Sequence, residues 1–155
     1  MTLPATLPLS MSQIANELGR ALPLGMLDPM VLSLAGKSAP PISFTDLLGK
    51  TGRYDGSVKT GAISLQRSID WLNGTARFFD VFLSEVVWNS PTTATLFTWS
   101  PSNEWRGNIL VRNNTTGVQG VFVPAQPALY SASGFDANNL IRNGATDNYT
   151  IVPSF

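Results

Sequence analysis

The sequence predicts an α+β protein, with a short N-terminal helical module over residues 1–53 and an antiparallel β-sandwich-like domain over residues 54–155. Three observations lead there. Residues 9–50 carry three helix starts, each closed by a glycine stop. From Val58 onward the helical period gives way to short β-branched and aromatic runs separated by Asn, Gly, Pro and Ser. About seven such runs at roughly 8–12-residue spacing are the pattern of a sandwich.

The elements follow in order. Residues 1–8 contain two X-Pro steps and no period, which predicts an extended arm, because a residue before proline avoids the helical region. Ser10 stands three residues before Gln13, the spacing of a capping box, and the helix it starts should run to Leu18 and stop at Gly19. Asp28 before Pro29 is an N-cap with proline at the first helical position, and Gly36 is the next stop. Ser43 and Asp46 repeat the cap ahead of Gly49. Helices shorter than about 12–15 residues are marginal alone in water. Their apolar side chains Ile14, Leu18, Met30, Leu34, Phe44 and Leu47 must therefore pack on something. Either they form an interface that docks on a partner, or they cover the chain's own sheet.

Residues 51–57, rich in Gly, Asp and Ser, predict a turn cluster and the boundary between the two parts. Beyond it, residues 58–65 read as a first strand, and residues 69–72 lead into Asn73-Gly74, a strong hairpin signal. In 75–89 the run Phe78, Phe79, Val81, Phe82, Leu83 would face both sides, so a central strand with a bulge or bend is expected. Residues 93–100 put Thr95, Phe97 and Trp99 on one face. Trp105, Ile109 and Val111 alternate against Arg106, Asn108 and Arg112, a strand with one wet face. Residues 113–117 form a hairpin loop and 118–123 return, with Pro124 and Pro127 marking the exit. Residues 131–144 read as loop with one helical turn at 137–141, and 149–152 close the sheet.

Composition limits the chemistry. The formal net charge is zero and charged residues make up 13% of the chain, against a typical value of about 25%. A surface this neutral argues against nucleic acid and anionic membrane as partners, and for association with other subunits. The chain has no histidine and no cysteine, so no imidazole base, thiolate or disulfide is available, nor a zinc site of the usual kind. No apolar run approaches the roughly 18 residues that cross a bilayer. The opening MTLPATLPLSMS lacks a basic n-region, so synthesis in the cytoplasm is expected. Asp70, Asp80 and Glu85 lie in or near strands, and a glycosidase-type pair can be drawn from them. Ten acids scattered singly against ten bases favour a non-enzyme without a cofactor. Asp136, Asn138 and Asn139 fit turn chemistry better than calcium ligation. Trp71, Trp88, Trp99 and Trp105 invite a sugar-stacking reading, but alternation assigns Trp99 and Trp105 to the core. The polar tips offer Asn113, Asn114, Thr115, Phe135 and Asn138 as candidate ligand or host contacts.

The segments LSMSQIANELG and ISFTDLLGK, joined by a short helix ending in Ala35-Gly36, resemble a small module of tailed-bacteriophage virion proteins. Ser12, Ile14, Glu17, Leu18 and Gly19 match its first half. Ile42, Ser43, Asp46, Leu47, Gly49 and Lys50 match its second. The resemblance covers about a third of the chain, and the longer linker RALPLGMLDPM departs from it. It implies a non-enzymatic virion structural protein, tail-fibre or baseplate-associated, made in the host cytoplasm. Such a protein would dock through the helical module and present its β domain. Its partners would be other virion proteins, further copies of itself (a homo-oligomer, trimer favoured) and a host-surface glycan or protein. A capsid decoration or cement protein and a carbohydrate-binding β-sandwich module are the alternatives.

Overall fold

The protein is described from a computed structural model covering residues 2–63, 66–70 and 75–155, with the backbone alone for 62, 63 and 66. Helices α1 (Met11–Glu17) and α2 (Pro29–Leu34) and a 3-10 turn (Phe44–Leu47) precede the strands. Among the described residues there are ten strands. They are β1 (Tyr54–Lys59), β2 (Gly61–Ile63), β3 (Gln66–Asp70), β4 (Arg77–Phe78), β5 (Val81–Ser90), β6 (Thr93–Thr98), β7 (Asn108–Asn113), β8 (Gln119–Gln126), β9 (Leu129–Ser133) and β10 (Thr146–Ser154). Helix α3 (Ala137–Leu140) lies between the last two. The fold is α+β, with a large antiparallel sheet that nearly closes on itself.

The hydrogen-bonded order is β1-β10-β7-β8-β9-β6-β5-β3-β2, with β4 on β5. Its two ends, β1 and β2, are separated in sequence by Thr60 alone. One bent strand therefore leaves β10 and arrives at β3, and the sheet curls into a barrel-like sandwich. Thr60 is buried at the bend, donating its N–H to the Ala145 carbonyl (2.8 Å) and its hydroxyl to the carbonyls of Arg142 and Ala145. Strand β8 makes the opposite corner. It pairs with β7 from Gln119 to Phe122 and with β9 from Val123 onward.

The helical module is spent on this barrel. Both capping boxes form: Gln13 closes on Ser10, and Asp46 on Ser43. Gly19 ends α1 with φ +64° and lies so close to Val152 of β10 that a Cβ there would meet its side chain at 3.0 Å. Gly52 is held between Leu34 and Leu18, where a Cβ would meet them at 3.1 and 3.2 Å. Glu17 is fully buried, and its Oε1 accepts from the N–H groups of Gly52 (2.8 Å) and Arg53 (3.1 Å). The arm is also tied in cis: Leu3 is buried, its N–H donates to the Lys50 carbonyl, and Gly49 donates to the Pro4 carbonyl, both at 2.9 Å. One apolar cluster runs from Leu3 and Ile14 through Leu34 and Leu47 to Leu96, Phe122 and Ile151.

Several expectations need correcting. The turn-like stretch at 51–57 carries most of β1, because pairing Tyr54–Lys59 with β10 outweighs the local preference of Asp55, Gly56 and Ser57 for a turn. Thr95, Phe97 and Trp99 do share a face, but it is the outward one. Ala94, Leu96 and Thr98 point inward, and Trp99 is 58% exposed. Pro124 does not mark an exit, since β8 continues to Gln126. Residues 131–133, expected as loop, complete β9. The Asn73-Gly74 hairpin, Trp71, Leu72, and the last two residues of the expected 58–65 strand fall outside the described residues.

Candidate functional site

A concave region is built around residues 101–107, in the connection between β6 and β7. Asp80, in the two-residue turn joining β4 to β5, anchors it. Its carboxylate accepts from the Ser102 hydroxyl (2.5 Å) and from the N–H groups of Asn103 (2.9 Å) and Glu104 (3.4 Å). Burial works against the Asp80 charge, but these hydrogen bonds outweigh it and hold the carboxyl below its ordinary range. The Ser102 hydroxyl in turn accepts from the Trp105 N–H at 2.8 Å. Trp105 is 2% exposed, stacks on Phe79 with ring centroids 5.4 Å apart, and donates its indole N–H to the Asn108 carbonyl (2.9 Å). On the module side Lys50 pairs with Glu104 at 2.7 Å. The connection is thus pinned from β4–β5, from the module and from its own tryptophan.

A cavity lies on each side of it. One, of about 560 Å³, opens toward α2 and is lined by Ser33, Lys37, Asn103, Trp105, Arg106 and Phe155 among others. The second, of about 490 Å³, opens toward the β8–β9 hairpin and includes Asn103, Arg106, Pro124, Gln126, Pro127 and Tyr130. Both volumes fall in the roughly 300–1,000 Å³ range of small-molecule sites. The Tyr130 hydroxyl is pushed above its ordinary pKa by burial and by the Asp80 charge, so it stays protonated and able to donate.

Comparison with protein-family models, curated proteins and solved structures returns no match. The site must therefore be read from its own chemistry.

Of the residues singled out from sequence, Asp80 and Trp105 belong to this region, whereas the docking and tip candidates fall elsewhere. Ile14, Leu18, Met30, Leu34 and Leu47 are each at most 1% exposed, and Phe44 is half-buried against the same cluster. They pack in cis on the sheet and offer no open docking face. Asn113 is fully buried, not a contact tip. Its amide nitrogen donates to the Leu140 carbonyl (3.0 Å) and Asp147 (2.8 Å), and its oxygen accepts from the N–H groups of Thr115 and Thr116. Asn114 bridges Asn148 and Thr150, and the Thr115 hydroxyl accepts from the Asn148 N–H, so both side chains fasten the hairpin loop to β10. Phe135 packs on Phe122. Asn138 accepts from Arg67 and from the Trp88 indole. None of these tip residues lines either cavity, and turn chemistry accounts for Asp136, whose carboxylate accepts from Asn139.

Asp70 and Glu85 are cross-strand partners on β3 and β5. Burial, then the Asp70 charge, pushes the Glu85 carboxyl up. Neither residue lines either cavity, and Asp80 is committed to holding 102–104. Asn103, Arg106, Gln126 and Tyr130 were missed from sequence because the first two lie in a Pro- and Asn-rich connection that reads as an ordinary turn and the other two flank the Pro127-Ala128 turn of the β8–β9 hairpin. The one available signal was a tryptophan and an arginine set in the middle of the turn-rich run SPSNEWRGN.

Proposed function

We propose that this chain is a non-catalytic structural subunit of a bacteriophage virion, of tail-fibre or baseplate-associated type. The observation that carries the reading is apolar surface left open on the outward faces of the sheet. Phe82 (39% exposed) and Trp99 (58%) sit side by side across β5 and β6, the Trp99 N–H donating to the Phe82 carbonyl at 3.0 Å. Val121 and Val123, two residues apart on β8, are 43% and 47% exposed. On a chain with 13% charged residues, such patches favour burial against neighbouring subunits. The phage-like helical module supports the same reading. Its function in this chain is to shape and brace the base of the barrel, leaving the sheet faces for assembly.

The test is to express the tagged chain during particle production and to measure its occupancy in purified particles. The chain should co-purify with particles, and F82S/W99S should lower its occupancy severalfold while leaving the monomer folded. Recovery of the wild-type chain only in the free fraction would overturn the proposal.

A further inference from the structure

We infer that the cavity between residues 101–106 and the β8–β9 hairpin is a glycan pocket that takes a sugar bearing a carboxylate. The inference deepens the virion reading by giving the subunit a ligand. It is tested on the isolated chain, so its failure is distinguishable from failure to enter particles.

The first support is unspent hydrogen-bonding capacity. Among the described residues, the side chains of Asn103, Arg106 and Gln126, all exposed, and the hydroxyl of Tyr130 make no hydrogen bond within the chain, and all four line this one cavity. Tyr130 is 6% exposed as a residue, but its hydroxyl is not sealed from solvent. Here its hydroxyl is left for whatever enters. Asn, Gln and Arg each present a planar pair of polar atoms, suited to bridging two adjacent oxygens of one ligand. Pro101, Pro124 and Pro127 supply apolar walls for the C–H faces of a sugar ring.

The second support is backbone strain. Among the described residues, only Phe79 (φ +52°) and Ala128 (φ +63°) are non-glycine residues in the left-handed region. Ala128 lines the cavity, and Phe79 stacks beneath Trp105, which lines it too. Such conformations cost energy and collect at binding sites, where the surrounding structure enforces them.

Charge favours an acid. Among the described residues lining the cavity Arg106 is the only cation and none is acidic, so its guanidinium is the group a carboxylate would pair with, the Asp80 charge lying behind the wall and tied to Ser102 and Asn103. The rim also disfavours a peptide. Pro124 and Pro127 lack N–H donors, so the hairpin end cannot add an extended strand by backbone pairing.

The experiment titrates the full chain with sodium glucuronate, glucose, sodium acetate and a glutamate-rich hexapeptide. Chemical-shift changes at the Trp105 indole N–H and the Gln126 side-chain amide report binding. Glucuronate should bind with a Kd on the order of 1 mM, with glucose and acetate each at least about tenfold weaker. R106Q should lose about tenfold toward glucuronate and little toward glucose, consistent with one charge-assisted pair. Q126A should weaken both sugars. Both positions are exposed, so the spectra elsewhere should be unchanged. Absence of binding by any probe, acetate binding as well as glucuronate, tighter binding of the peptide, or unchanged affinity in R106Q would each overturn the assignment.

Discussion

Glu17 shows how a single side chain can join two regions. Its Oε1 satisfies two backbone N–H groups just before β1, while its Oε2 is buried with no hydrogen-bond partner among the described residues. Burial pushes the carboxyl up, and the N–H groups of Gly52 and Arg53 pull only partly against that. A raised folded-state pKa stabilises the fold fully below the ordinary glutamate value of about 4.3. That contribution is lost as the pH rises through the raised value. The variant E17Q keeps the accepting oxygen and cannot ionise. Urea unfolding of both proteins should show E17Q gaining on the wild type as pH increases from 4 to 7. A stability difference that does not change with pH would contradict this account. Glu17 was visible in the sequence as part of the helical motif. Its role was not, because both acceptor contacts come from residues 35 and 36 positions away.

At the scale of elements, local signals and long-range ones part company. The caps of α1, α2 and the 3-10 turn were legible, since Ser10 with Gln13, Asp28 with Pro29, and Ser43 with Asp46 act over three residues or fewer. The facing of β6 was not. Alternation identifies residues that share a side, but only packing decides which side is inside, and here Ala94, Leu96 and Thr98 fit the interior while the bulkier Phe97 and Trp99 face out. Boundaries failed where pairing overrode composition, as at Tyr54–Lys59. The β8–β9 hairpin carries a testable element-level strain. Gln126 pairs with Leu129, leaving Pro127-Ala128 as a two-residue turn whose second position has φ +63°, the place where glycine is preferred. A128G should raise the unfolding free energy by about 0.5–1 kcal/mol, the released strain being partly offset by glycine's entropy. Thermal melts of the two proteins check it, and a lower midpoint for A128G would refute it.

For the molecule as a whole, the sequence separates a helical module from a β domain, and the structure gives them one core. Leu18 and Leu34 close over Gly52, α1 ends against Val152, and Lys50 reaches Glu104. Unfolding should therefore be a single cooperative transition, with far-ultraviolet circular dichroism and tryptophan fluorescence giving coincident curves. A chain lacking residues 1–53 should lose most of its sheet signal, because Ile109, Tyr149 and Ile151 belong to the same buried cluster as the helices. A truncated barrel with the wild-type melting midpoint would show that the module is dispensable. The candidate pocket was the least legible feature at this scale. Its Asn103, in the β6–β7 connection, and Gln126, at the end of β8, are brought together by barrel closure and by the Asp80 anchor.

The seat of the module against β10 also has a mechanical consequence. Strand β1 begins opposite Ile151, close to the end of β10, and the two run antiparallel. Tension between residue 53 and residue 155 would then open that ladder one rung at a time, the weakest way to load a sheet. The contacts of Gly19 with Val152, Glu17 with Gly52 and Lys50 with Glu104 all cross this same end. They act as a clip over the first rung. A pull on the two ends of the chain must spring the clip before the sheet can unzip.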